Sequence, residues 1–289
     1  MPLLWPRRAF EPRRIPPRAL AEGGCRVRAV VNRLALILLL ATAPCCTAAP
    51  SSGAHPHGAR DVFLIAGGDL LDAPASLWGD AKTTFSDGSN LMILGGALGL
   101  GLIQEATLDE KEDRFFAEHT LYSSTMSDLI AVFGSGFALF GANALWSLGA
   151  LSAGEMDSYH DSKLMMRSLG LTSLATVLLK SSVDDHRPNG GAYDFPSGHA
   201  SLSMAAASTL DELYGPMAGI PAYGISVLVG LQRMDTQHHD SESVLFGFAL
   251  GWVIGHSVSG QKMSVLGMDV EAVADPVTGD FGLALVRHF

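Results

Sequence analysis

The chain has 289 residues, 48% of them hydrophobic, with 19 basic and 29 acidic side chains, enough apolar material for one large domain or two small ones. The charge is unevenly spread: residues 1–33 hold eight arginines and two acids, so the rest carries 11 basic against 27 acidic residues, about net −16. That field repels polyanions and argues against a nucleic-acid partner. All three cysteines precede residue 47, so the body has neither a disulfide nor a catalytic thiol.

Residues 1–28, rich in Arg and Pro and without apolar periodicity, are expected to be disordered, with a native start expected near Val30 or Val31. Arg33 then precedes a ten-residue apolar run, Leu34 to Ala43, and small residues follow through Ala49. A basic segment, a short apolar run and small residues read as an export signal too short to span a bilayer as a helix. Plain cleavage is favoured over lipid attachment at Cys45 or Cys46, because Pro44 stands where a lipoprotein signal needs a small residue. From Pro50 to Arg60 the composition is that of a linker, and His55 and His57 there read as solvated. The chain thus divides into a leader and signal (1–49), a linker and N-terminal segment (50–89), a helical domain (90–260) and a C-terminal hairpin (261–289).

Within the body, Leu91 to Gln104 is apolar and Gly-rich, and Asp109 to Glu118 is a charge run that reads as solvated surface. Leu129 to Leu151 is uncharged for 23 residues, long enough to cross a bilayer and equally suited to a central helix among close neighbours. Glu155, Asp157, His160 and Asp161 could ligate a metal, but read better as the start of a helix. That helix, Met165 to Leu179, is interrupted by Arg167 and ends in Lys180. Ala200 to Leu213 places Leu202, Ala206, Leu210 and Leu213 on one helical face. Met217 to Leu231 and Val244 to Val258 are further apolar runs. Arg167, Asp211 and Glu212 argue against a deep lipid setting for their helices. Met268 to Ala274 and Phe281 to Val286 flank turn residues and predict a hairpin, read as an appendage and not as part of a barrel.

The chemistry lies in two stretches, Lys180 to His199 and Arg233 to His239. Pro196-Ser197-Gly198-His199 is a Gly-permissive turn leading into a helix, which points backbone N–H groups and a helix N-terminus at one spot and attracts an anion. Lys180, Arg187 and Arg233, three of the body's few cations, would supply counter-charge, Arg as a planar fork and Lys as a point charge. Ser197 would give a hydroxyl hydrogen bond and Gly198 a backbone one. Phosphoryl transfer through histidine needs this set: cations for the equatorial oxygens, one imidazole to attack phosphorus and another to protonate the leaving oxygen. His186 and His256 fit no part of it.

These residues resemble the three motifs of the type-2 phosphatidic acid phosphatases, which share their site with class A bacterial acid phosphatases and vanadium haloperoxidases: K-x6-RP, PSGH and SR-x5-H-x3-D. Lys180 to Pro188 matches the first completely, Pro196 to His199 the second, and Gln232-Arg233 through His239 to Ser243 most of the third. The resemblance covers roughly residues 90–260. It implies that Lys180, Arg187 and Arg233 hold phosphate with Ser197 and Gly198, that His199 is the general acid, and that His239 is the nucleophile forming a phosphohistidine. Gln232 replaces the motif's Ser, and Ser243 replaces the Asp that fixes the nucleophile's tautomer. Loss of that carboxylate predicts weaker orientation of the imidazole, with Ser243 left to accept one uncharged hydrogen bond, and so a reduced or specialised activity. A second register, His238 with Glu242, sets the histidine one residue too close to Arg233.

The resemblance further implies an all-α fold, a compact bundle of about six helices, with the site at one end where the loop into the Ala200 helix meets the starts of its neighbours. The reading is a phosphatase acting on a phosphomonoester or diphosphate, with a phosphorylated lipid or small phosphoester as substrate. The protein is expected to be exported, either periplasmic or associated with the envelope membrane with its site facing away from the cytoplasm, and to need no metal, because arginine and lysine take the role a metal ion has elsewhere. The alternatives are a vanadium-dependent haloperoxidase, since the same residues hold vanadate, and a low-activity phosphate-binding envelope scaffold.

Overall fold

The structure, a computed structural model, describes residues 59–107, 109–183, 185–259, 264–265, 268–274 and 281–286. The leader and signal readings, the cysteines, His55 and His57 fall outside these residues. The described helices are α1 (Ala59–Ser86), α2 (Gly88–Thr107), α3 (Asp109–Glu118), α4 (Ser124–Gly134), α5 (Gly136–Ala153), α6 (Met156–Lys180), α7 (Gly198–Tyr214), α8 (Pro216–Asp235) and α9 (Ser241–Val258). Strands β1 (Ser264–Val265), β2 (Met268–Ala274) and β3 (Phe281–Val286) form an antiparallel sheet in that order, with Val270 opposite Leu285.

The architecture is the expected all-α bundle, with more helices than six for two reasons. The segment assigned to a linker and N-terminal stretch is largely α1, a 28-residue helix. The uncharged run 129–151 is not one helix either: it breaks at Ser135, whose extended backbone (φ −69°, ψ 123°) ends α4 and starts α5. Nor is it central. Phe137 is 93% exposed and Leu145 73%, so α5 lies on the outside of the bundle.

The centre is α7, and small residues put it there. Gly247, Gly251 and Gly255 recur every four residues on α9 and so share one face, against which α7 packs backbone to backbone: a Cβ at Gly251 would stand 2.1 Å from the Ser201 carbonyl oxygen. On the other sides, buried hydroxyls pair across the helix contacts, Thr176 with Ser201 at 2.9 Å, Thr209 with Ser168 at 3.0 Å and Ser203 with Ser226 at 2.9 Å. Pairing satisfies each polar group in a setting where an orphan would cost about 1–3 kcal/mol. Around this column Phe85, Leu94, Leu171, Leu179, Phe246 and Ile254 build the main apolar core.

The charges inside helices are likewise paired. Arg167 holds Asp80 through two nitrogens, Tyr223 donates to Asp211 at 3.2 Å, and Glu212 meets His256. Each of the three thus has a partner within the fold. Of the group 155–161, Glu155 caps α6, Asp157 lies in its first turn and Asp161 accepts from Tyr214 at 2.8 Å, which fits a helix start.

Candidate functional site

Four helix ends meet at one end of the bundle. Lys180 is the last residue of α6, Arg233 lies in the last turn of α8, Gly198 opens α7 and Ser243 lies in the first turn of α9. The site is thus built from two helix C-terminal ends and two N-terminal ends, where only starts were expected. Basic side chains suit the former and an anion the latter.

The loop 185–195 is folded back on itself. Arg187 N–H donates to the Gly191 carbonyl at 2.8 Å through a turn at Gly190 (φ 83°), and Tyr193 N–H donates to the Asp185 carbonyl at 2.9 Å. Lys180 Nζ closes it by donating to the carbonyls of Tyr193 (2.8 Å) and Asp194 (2.9 Å), which leaves one of its three donors for a ligand. The loop then passes a cis Phe195–Pro196 bond into α7. Ser197 is the N-cap: its Oγ accepts from Ala200 N–H at 3.5 Å, and its own N–H donates to the Ser243 carbonyl at 3.0 Å. Accepting at the cap leaves the Ser197 hydroxyl proton free to donate.

On the other side, the chain wraps around the end of α8, with His238 and His239 N–H both directed at the Arg233 carbonyl (3.0 and 3.3 Å). Asn189 N–H donates to the Gln237 carbonyl at 3.2 Å and ties the two loops together. Gln232 faces away from this wrap, with Nε2 donating to Ser127 of α4 at 2.8 Å.

Charge is concentrated and unbalanced here. Burial pushes Lys180 down to about 8, with Arg187 and Arg233 adding repulsion against the pull of Asp194, and burial with Arg187 nearby pushes Arg233 down to about 10. Burial, then Arg233 and the other cationic groups, pushes His199 down to about 4. The Nε atoms of Arg187 and Arg233 are buried and have no hydrogen-bond partner among the described residues. Mutually repelling cations with unused donors, beside a helix N-terminus, are the receiving half of an anion site. The structure thus brings Lys180, Arg187, Ser197, Gly198, His199, Arg233 and His239 together.

Ser243 departs from expectation. Its hydroxyl donates to Oδ2 of Asp194 and not to the imidazole, while Nδ1 of His239 stands 2.8 Å from Oδ1 of the same carboxylate. Asp194 is the residue that motif spacing missed. It lies 45 positions before His239, and its only sequence signal is an acid standing two residues ahead of PSGH. Nδ1 of His238 stands 3.0 Å from both the carbonyl and the hydroxyl of Thr236. His186 is exposed and His256 pairs with Glu212, both outside the site. Asp194, Asp240 and Glu242 bring one carboxylate oxygen each within 4.8 Å of one another, but both oxygens of Asp194 are already engaged.

Among solved structures the chain resembles a transmembrane PAP2-type phosphatidylglycerolphosphate phosphatase from Bacillus subtilis, with a TM-score of 0.52 at 21% identity over 60% of this chain and 94% of that one. The fold is that of PAP2. No family profile and no curated protein matches the sequence, so the PAP2 fold is recognised from shape and the site from its own geometry.

Proposed function

We propose that the chain is a phosphatase of PAP2 type, hydrolysing a phosphomonoester or diphosphate carried by a lipid, through a phosphohistidine. The observation that carries this reading is the pair of buried Nε atoms, on half-buried Arg187 and buried Arg233, that have no partner among the described residues. Buried donors left without a partner favour an anion that accepts from them, and His199 and His239 are the two imidazoles that would act on it.

In the reaction, Lys180, Arg187 and Arg233 with the Gly198 N–H and the Ser197 hydroxyl hold the phosphoryl oxygens. His239 attacks phosphorus with Nε2 while His199, protonated, gives its proton to the leaving oxygen as the P–O bond breaks. Water then attacks phosphorus and gives its proton to His199, the P–N bond breaks with its electron pair returning to Nε2 of His239, and phosphate leaves. Burial holds His199 neutral at pH 7; a bound dianion favours the imidazolium and arms it. The cations carry the charge stabilisation, so no metal is required by this scheme.

Association with a membrane follows from α5. It has 18 residues at a mean hydropathy of 1.3 with only 17% of them buried, and its length of about 27 Å approaches the thickness of a bilayer's hydrocarbon core. An apolar helix left uncovered by its own protein is a surface for lipid. The basic, apolar and small-residue order of residues 33–49 supports export, with the site facing away from the cytoplasm.

The test is turnover by detergent-solubilised protein of a panel spanning an aryl phosphate, diacylglycerol phosphate and polyprenyl phosphates. We expect hydrolysis that vanadate inhibits, disappears in His239→Ala, and passes through an acid-labile phosphoprotein. Halide oxidation stimulated by vanadate would replace the reading with the haloperoxidase one, and absence of turnover with all substrates would leave a binding scaffold.

A further inference from the structure

We infer that Asp194 is the positioning residue of the nucleophile: its carboxylate orients His239 in place of the missing acid at 243, and the Ser243 hydroxyl holds that carboxylate. This rests on the phosphatase reading above. An ionised carboxylate only accepts hydrogen bonds, so a nitrogen 2.8 Å from it carries the proton. Nδ1 of His239 is therefore N–H, and the lone pair that attacks phosphorus is fixed on Nε2. The second oxygen of Asp194 takes the Ser243 hydroxyl, so rotation of the carboxylate is blocked. Asp194 and Ser243 are fully buried and His239 is 3% exposed, which keeps the interaction from being screened by water.

The same residue reaches the phosphate cradle through its backbone, since its carbonyl accepts from Lys180 Nζ at 2.9 Å. Asp194 thereby couples the nucleophile to a phosphate-holding cation, which an acid on α9 could not do by this route. Position 243 is set against α7. It lies four residues before Gly247 on the face that touches α7, where the Ser197 N–H reaches the Ser243 carbonyl at 3.0 Å and a Cβ at Gly247 would come within 2.8 Å of the Ser197 carbonyl oxygen. The hydroxyl and the carboxylate touch, so exchanging them moves the charge by about 3 Å, one hydrogen-bond length.

The experiment compares Asp194→Asn, Ser243→Ala and the exchange Asp194→Ser with Ser243→Asp, each against the parent and His239→Ala, on an aryl phosphate. Asn keeps the shape and removes the charge. The expected result is a kcat lower by about 10²–10⁴-fold with KM within about threefold, by analogy with loss of the orienting carboxylate in a catalytic triad. The acid limb of kcat/KM should also move to lower pH, because the carboxylate raises the basicity of His239. The exchange should recover at least about tenfold of the lost kcat, which a merely structural Asp194 would not allow. Ser243→Ala, which leaves Asp194 in place, should lower kcat severalfold and keeps the test open if Asp194→Asn does not fold. Asp194→Asn with kcat within threefold of the parent, or Ser243→Ala with unchanged kcat and pH profile, overturns the inference. Full activity in His239→Ala would instead overturn the phosphatase mechanism itself.

Discussion

Gly134 touches His199: a Cβ built on Gly134 would lie 2.9 Å from Cβ of His199, 3.1 Å from its carbonyl oxygen and 2.6 Å from Cγ1 of Val229. The break between α4 and α5 is thus a close crossing over His199, the proposed proton donor. Gly134→Ala has to push either His199 or α8 aside, at an overpacking cost of about 1–3 kcal/mol. Displacing a catalytic ring by even about 1 Å can cost 10²-fold, so kcat should fall by at least tenfold while anion binding persists. Steady-state kinetics beside sulfate protection against thermal unfolding would check it, and parental kcat in the variant would contradict the crossing.

Position 243 now has the opposite forecast from the one its sequence suggests. A motif with Ser where an acid belongs invites Ser243→Asp as a gain of activity. In the structure that change puts a second carboxylate against the buried Asp194, and like charges at contact force one of the pair to protonate. The single variant should lose both Tm and kcat, by several degrees and at least tenfold. A faster enzyme would show that Asp194 is not the working carboxylate.

That reversal marks where sequence reading stops. The cradle was legible because Lys180, Arg187 and PSGH lie within twenty residues, where helix end, loop and next helix start dictate their proximity. The pairing of Asp194 with His239 was not, since it depends on how far α9 slides along α7, which the glycine face sets and no spacing encodes. The all-α bundle was implied by the motif resemblance, while run length misled at 129–151: hydropathy does not register the break at Ser135. The partner of Arg167 was hidden for a related reason, because Asp80 lies 87 positions away on a helix that the sequence did not mark.

The two histidines set a pH dependence whose sign is fixed. In the unfolded chain both titrate near 6.5; in the folded, empty site burial pushes each down to about 4, assisted at His199 by Arg233 and opposed at His239 by Asp194. Between those values the unfolded chain binds more protons, so stability is fully present above about pH 6.5 and is lost as pH falls toward 4. Sulfate, dianionic throughout, favours protonated His199 and so should bind more tightly as pH drops from 7 to 5.5. Above pH 8 it should weaken again as Lys180 loses its charge. Tm measured across pH with and without sulfate reads both effects; a larger sulfate-induced gain at pH 8.5 than at pH 5.5 would refute the assignment.

The glycine face of α9 gives a paired test of what positions the site. At Gly251 a new methyl would meet the Ser201 carbonyl oxygen at 2.1 Å and the Ala205 nitrogen at 2.8 Å, both backbone atoms of α7 that cannot swing away. At Gly96 on α2 nothing lies within 4 Å. Alanine is the better helix former by about 1 kcal/mol at either position, so Gly96→Ala should raise Tm slightly. Gly251→Ala should lower it by several degrees, since separating the helices outweighs the propensity gain. Because Ser243 lies on the same face two helical repeats earlier, separation also draws its hydroxyl off Asp194, and kcat should fall with Tm. A Gly251→Ala protein that is less stable but retains the parental kcat and pH profile would mean that the first turn of α9 is held by its own contacts and not by the packing below it.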